Sequence, residues 1–136
     1  MAHGRAPAAA DAVAEAPLRA IVAEQAAAWN AGDGTRYAAH RAPDGPFTRI
    51  FGRVMHGAPA FAGRHRRILA TLYKGTTKRH TVRRIRLVMP DVAVVDIDNE
   101  VHGVRAVPAG IAVAADGVVR EPLVELFVRR PGQCWT

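Results

Sequence analysis

Residues 77–102 read TKRHTVRRIRLVMPDVAVVDIDNEVH, and this stretch decides the fold. Two runs rich in Val, Ile, Thr and Arg, about Thr77–Met89 and Val92–His102, flank Pro90-Asp91. That is the composition of two long antiparallel strands joined by a tight two-residue turn. Counting outward from the turn pairs Arg83 with Asp98, Thr81 with Glu100 and Arg79 with His102. Opposite charges then face each other along one side of the hairpin, which supports the register. The other side carries Val82, Val88, Ala93, Val95, Ile97 and Val101, interrupted by His80, Arg84, Arg86 and Asn99. Neither side is wholly apolar, so alternation alone leaves the inner face open. Beyond it, Gly103–Gly117 is a weakly patterned connection and Val119–Val128 reads as another strand. Gln133–Thr136 begins a further strand that is not continued past Thr136.

Upstream of the hairpin the period changes from 2 to 3.6 residues. Leu18, Ile21, Val22 and Trp29 stand at helical spacing, with Pro17 at the start and Gly32 at a C-cap, so a first helix is predicted over Pro17–Ala31. Asp33 can cap a short second helix reaching about Arg41, which Pro43-Asp44-Gly45-Pro46 ends. Phe47–Phe51 alternates as a strand, and Gly52-Arg53 turns it into Val54–His56. Pro59 opens a third helix whose stripe is Phe61, Ile68, Leu69 and Leu72, and Gly75 closes it. Helices followed by a run of strands predict an α+β chain with an antiparallel sheet.

With 136 residues, 49% hydrophobic and 23% charged, the chain has the composition of one globular domain. Residues 1–16 are Ala-rich but broken by Arg5, Pro7, Asp11 and Glu15, and are expected to form a flexible tail before a domain at 17–136. No apolar run approaches the roughly 20 residues that cross a bilayer, and the single Cys134 rules out an internal disulfide framework. The expectation is a soluble cytoplasmic protein that binds neither membrane nor nucleic acid. Its net charge of +7 comes from seventeen Arg and two Lys scattered along the chain, without a nucleic-acid-reading module.

Several chemistries find no support in the residues. There is no serine, which removes a Ser-His-Asp nucleophile. Gly32-Asp33-Gly34 follows a helix rather than a strand, so it reads as a turn and not a dinucleotide site. The histidines at 3, 40, 56, 65, 80 and 102 lack a zinc spacing, so neither a metal nor a cofactor is expected. Two features carry potential chemistry. Asp96, Asp98, Glu100 and His102 form an alternating row on one strand face, either a solvated ladder or a desolvated carboxylate suited to proton transfer at carbon. His65 follows Phe61 by four residues and precedes Leu69 by four, which puts an imidazole inside an apolar helix stripe, as a structural histidine or as a pocket residue.

Four segments carry a family resemblance: Ala28–Asp33 (AWNAGD), Phe47–Gly57 (FTRIFGRVMHG), Gly63–Gly75 (GRHRRILATLYKG) and Val82–Glu100. Over about Leu18–Trp135 the chain resembles the SgcJ/EcaC type of SnoaL-like protein, in the nuclear transport factor two-like, ketosteroid-isomerase-like superfamily. The resemblance implies a cone-shaped cystatin-like α+β fold, with three helices in the N-terminal half packed on a curved antiparallel sheet around an apolar pocket. It also implies a homodimer and a setting in polyketide or enediyne antibiotic biosynthesis, and it places a histidine at position 65. His40, Arg41 and Arg49 depart from the family pattern, and the unfinished last strand would leave an edge or pocket wall for a partner to supply.

The function so implied is binding of a hydrophobic small molecule such as a polyketide or polyene, by an accessory protein or a cofactor-independent cyclase or isomerase. The alternative is a non-catalytic dimerisation or docking module for a larger enzyme such as a polyketide synthase. An oxidoreductase, the label that travels with the subfamily, is the third reading. If the cone forms, His65, Thr48 or Arg49, and Asp98 or Asn99 are expected to converge near Trp29, Tyr37 and Phe61. His65 and Asp98 are the catalytic candidates and the others ligand contacts. Within each pair only one residue can reach the interior, because neighbouring strand residues point to opposite faces.

Overall fold

Leu18, Ile21, Val22, Gln25, Ala28 and Trp29 recur every three or four residues and are all buried, which fixes the face that helix α1 (Ala9–Asn30) turns toward the sheet. The computed structural model describes residues 9–48, 53–105 and 111–136. Helix α1 starts eight residues earlier than its Pro17 suggests, so residues 9–16, expected as tail, form helix. Ala12, Val13, Ala14 and Ala16 on this extension are exposed, and the buried stripe begins only at Leu18. Gly32, at φ 70°, ends the helix in a conformation that suits glycine.

Helix α2 (Gly34–Tyr37) is a single turn, shorter than the periodicity suggested, and Asp33 caps it by accepting a 2.9 Å hydrogen bond from the Arg36 amide. Strands β1 (Pro46–Thr48) and β2 (Val54–His56) pair antiparallel as a separate ribbon. The remainder of the predicted first strand, Arg49–Phe51, lies outside the described residues. Helix α3 (Ala58–Ala70) has Pro59 in its first turn and buries Phe61, Ala62, His65 and Leu69. Helices α2 and α3 meet at Gly34, where a Cβ would stand 2.3 Å from the Arg66 amide nitrogen and 2.7 Å from the His65 carbonyl carbon. Gly34 thus belongs to more than a turn, since only glycine permits this approach.

Strands β3 (Thr77–Met89), β4 (Val92–His102) and β5 (Val119–Val128) form an antiparallel sheet in the order β3-β4-β5. Met89 pairs with Val92, as the two-residue turn requires, but the register then departs from the simple count. Irregularities between Leu87 and Met89 and between Val82 and Arg84 each insert one extra residue into β3. Thr81 therefore faces Asp98 and Arg79 faces Glu100, two positions from the count made without bulges. The bulges also decide the faces. They turn Arg83 with Arg84, and Val88 with Met89, to one side, so Ile85 replaces Arg84 and Arg86 on the inner surface. The inner face of β4 is then Ala93, Val95, Ile97, Asn99 and Val101, all buried.

Two apolar clusters fill the space between helices and sheet. One joins Leu18, Ile21 and Val22 of α1 to Ala93, Val95, Ile97, Phe127 and Trp135. The other joins Ala28, Trp29, Tyr37, Ala38, Phe61, Ala62 and Leu69 to Val101 and Val119. Each full-size aliphatic side chain so buried contributes roughly 1.5–3 kcal/mol. The segment after β5 folds back on it, with Val128 and Thr136 exchanging amide-to-carbonyl hydrogen bonds of 2.9 and 3.0 Å. This return delivers Trp135 into the first cluster, under the Arg129 guanidinium at 4.8 Å.

Candidate functional site

The second cluster is aromatic and contains the predicted imidazole. Helix α1 supplies Trp29, α2 supplies Tyr37, and α3 supplies Phe61 and His65 one turn apart. The His65 ring centroid lies 4.0 Å from Phe61, 4.8 Å from Tyr37 and 6.3 Å from Trp29, and Phe47 of β1 closes a further side at 5.9 Å. Tyr37 stacks on Phe61, and the Arg41 guanidinium lies 4.0 Å over the Phe61 ring. His65 Nδ1 is 2.8 Å from the Phe61 carbonyl oxygen and must carry the proton to bond there, which leaves the lone pair on Nε2. Desolvation drives the His65 pKa down to about 4, against the Phe61 hydrogen bond and with help from the Lys78 and Arg41 charges. The ring is neutral at pH 7 and presents an acceptor.

Facing this box from the sheet is Lys78, which the sequence reading passed over. It follows the inward phase of β3 and is only 6% exposed. Its Nζ donates a 3.3 Å hydrogen bond to Tyr37 Oη and sits 4.3 Å over the Trp29 ring. Asn30 holds the backbone beneath it on both sides, donating from Nδ2 to the Lys78 carbonyl at 3.1 Å and accepting from the Lys78 amide at 2.6 Å. Trp29 is fixed in turn by its indole N–H, which donates to Thr76 Oγ1 at 3.0 Å. Burial lowers the Lys78 pKa to about 8, opposed by the Glu121 and Glu125 charges. Burial raises the Tyr37 pKa well above its ordinary value, so the phenol keeps its proton. With the ammonium donating to its oxygen, that proton is free to point elsewhere.

Between the two apolar clusters the polar band continues across the sheet. Asn99 faces His80 on one side and Glu121 on the other, and its Nδ2 donates to Glu121 Oε1 at 3.2 Å. His80 Nδ1 lies 3.2 Å from the Val22 carbonyl, and burial takes the His80 pKa down to about 4. Gln25 Nε2 donates to Glu125 Oε2 at 3.1 Å. These bonds fix each orientation, because a carboxylate or carbonyl oxygen requires a donor. What remains on each residue is an acceptor. Asn99 Oδ1, Gln25 Oε1 and His80 Nε2 are buried and have no partner among the described residues.

Of the residues named from sequence, Trp29, Tyr37, Phe61 and His65 come together, and Asn99 lies on the inner face at 1% exposure. Asp98 does not join them. It points from the outer face, half-exposed and 3.6 Å from Arg83, because β4 alternates and Asn99 takes the inward place. The outer row is a solvated ladder: Arg86 lies 3.7 Å from Asp96, and Glu100 accepts from Arg120 and His102 at 3.2 Å. Thr48 ends β1 opposite Val54. The Thr48 side chain and the whole of Arg49 lie outside the described residues. No group of three metal-type side chains gathers among the described residues. The signal that would have found Lys78 is the phase of β3, for Lys78, His80 and Val82 share a face and only the last is apolar.

No family profile and no curated protein matches the chain. Solved structures do. A cystatin-like domain of unknown function from Nostoc punctiforme superposes with a TM-score of 0.75 at 22% identity, covering 96% of this chain and 74% of that one. The chain has the cystatin-like fold. A Novosphingobium aromaticivorans protein named provisionally as a scytalone dehydratase gives 0.72 at 16% identity, over 92% of this chain and 79% of the other. An NTF2-like protein of unknown function from Shewanella oneidensis gives 0.68 at 12% identity, over 89% and 91%. At these identities the likeness concerns the cystatin-like, NTF2-like architecture alone. Among the described residues no helix is long and apolar enough to cross a membrane.

Proposed function

We propose that this cystatin-like chain binds a hydrophobic small molecule carrying a polar oxygen, of polyketide or polyene type, at the aromatic end of the cone. The supporting observation is the convergence of Lys78 Nζ, the Tyr37 hydroxyl and the His65 imidazole within one buried aromatic box. An apolar site with a few placed polar groups is the ordinary form of a ligand site. The same set suits cofactor-independent cyclisation, isomerisation or dehydration. Lys78 and Tyr37 hydrogen-bond an oxygen on which negative charge develops, and His65 Nε2 accepts a proton. Such a protein serves polyketide or enediyne antibiotic biosynthesis in the cytoplasm. The experiment is a thermal-shift panel of polyketide-like aromatics and polyenes. A ligand at a hundred times its Kd adds about 2.7 kcal/mol to native stability. No shift across the panel removes this reading.

A second reading rests on a different observation. Val124, Leu126 and Val128 of β5 stand exposed on the outer sheet face, beside Val94 and Val92 of β4. Such a face suits a homodimer or docking onto a larger biosynthetic enzyme such as a polyketide synthase. Sedimentation at micromolar concentration is expected to give a dimer, and Leu126→Glu to give a folded monomer. A wild-type monomer overturns the dimer.

A further inference from the structure

We propose that Lys78 is a covalent site for carbonyl compounds, its Nζ condensing reversibly with an aldehyde or ketone to form an iminium inside the cage of Trp29 and Tyr37. The inference deepens the ligand-binding reading and rests on it in one respect, that the cone admits a small molecule.

Four observations carry it. Lys78 is one of two lysines in the chain and is buried, whereas Lys74 is exposed. No carboxylate forms a salt bridge with its Nζ among the described residues, and Glu121 and Glu125 act on it only as nearby charges. The two Asn30 hydrogen bonds fix its backbone against α1, and Tyr37 Oη with the Trp29 face fixes its head. Finally, the buried atoms left without a partner in the polar band beside it, among the described residues, are acceptors: Asn99 Oδ1, Gln25 Oε1 and His80 Nε2. A carbinolamine brings O–H and N–H donors, the complement of that set.

The neutral amine attacks the carbonyl carbon, forming the C–N bond as the C=O π bond breaks, and a proton passes from the nitrogen to the oxygen to give the neutral carbinolamine. A proton from solvent adds to its hydroxyl, which the Tyr37 phenol hydrogen-bonds without ionising, and the C–O bond breaks to release water. The nitrogen lone pair closes the C=N bond. Neutral lysine, carbonyl and one proton become iminium and water, without oxidant or cofactor. The lowered pKa of about 8 supplies the reactive form, with roughly a tenth of the amine neutral near pH 7, against a few ten-thousandths for an ordinary lysine. The titratable and charged groups around it are Tyr37 from α2, His65 from α3, His80 on β3, and Glu121 and Glu125 on β5, with Arg41 beyond the aromatic rings.

The test treats the folded full chain with cinnamaldehyde and cyanoborohydride near neutral pH and maps the reduced adducts by peptide mass spectrometry. Lys74 is the internal control, and urea-unfolded chain reports the reactivity of the two sequences alone. Expected is about tenfold more adduct on Lys78 than on Lys74 in the folded chain, set by the larger neutral fraction less some loss of nucleophilicity, and near equality in urea. Accessibility alone gives the opposite order. Tyr37→Phe is expected to lower the Lys78 yield several-fold and leave Lys74 unchanged. Labelling of Lys74 without Lys78 overturns the inference. If cinnamaldehyde alone still raises the Tm in that case, ligand binding stands and only the covalent step falls. If it does not, and the wider panel is also silent, both readings fall.

Discussion

Replacing Lys78 with Met keeps the length of the side chain and removes its charge, and the expected result is a more stable protein. A pKa lowered from 10.5 to about 8 means that holding the ammonium in the folded interior costs about 3 kcal/mol near pH 7. Against this, the variant loses the hydrogen bond to Tyr37 and the contact with the Trp29 face, about 1 kcal/mol or less each. The net expectation is a gain of about 1–2 kcal/mol, or a Tm several degrees higher. The pH dependence isolates the cause. Because the folded pKa lies below the unfolded one, the cost is complete below about pH 8 and disappears as pH rises toward 10.5. Wild-type stability therefore climbs relative to Lys78→Met between pH 7 and 9.5, a window that stops short of phenol ionisation in the unfolded chain. Urea denaturation at three pH values measures both quantities. A variant less stable than wild type at pH 7, or a stability difference that does not change with pH, refutes the reasoning. Either result would show that Lys78 is fully compensated in place.

His65 and His80 give a slope of the same sign in a lower window, since a histidine with a folded pKa near 4 contributes stability above pH 6.5 that is lost as pH falls toward 4. For His65 the loss is about 3 kcal/mol, and His65→Leu is expected to flatten the acid limb of the stability curve by that amount. Identical acid limbs would sink this account. Gly34→Ala forces a methyl to within 2.3 Å of the α3 backbone, so a loss of ~2 kcal/mol or more is expected, with Tyr37 displaced from His65. Unchanged stability and unchanged near-ultraviolet circular dichroism would show that α2 shifts freely.

The long hairpin and third strand were legible in residue chemistry, because Thr77–Met89, Val92–His102 and Val119–Val128 combine β-branched runs with turn residues at both ends. Helix α3 was legible for a similar reason, with Pro59 at its start and a single apolar stripe. Two things were not. The inner face of the hairpin was hidden because the phase change sits inside a run of arginines: Val82 is apolar on even count, Ile85 and Leu87 on odd, and charge complementarity looked adequate without bulges. Lys78 was hidden because a lysine in a strand ordinarily marks solvent. Only the position of β3 under α1, fixed by Asn30, makes it interior. His65 was visible by spacing, whereas Asp98 was chosen from a pair whose outcome depends on which face curls inward.

The two bulges in β3 also set which lengths the gene can encode. Arg83 and Val88 are surplus residues, each turned outward beside a neighbour that already occupies that face. Removing either one restores simple alternation and leaves Val82, Ile85 and Leu87 facing inward, at the expense of some strand curvature. Removing Ile85 instead leaves the inward sites on either side with one apolar residue too few, and an arginine must fill the gap or the hairpin must slip. Insertions and deletions in this strand are thus confined to two positions, and a shorter relative would be expected to lack a residue at one of those two before any other.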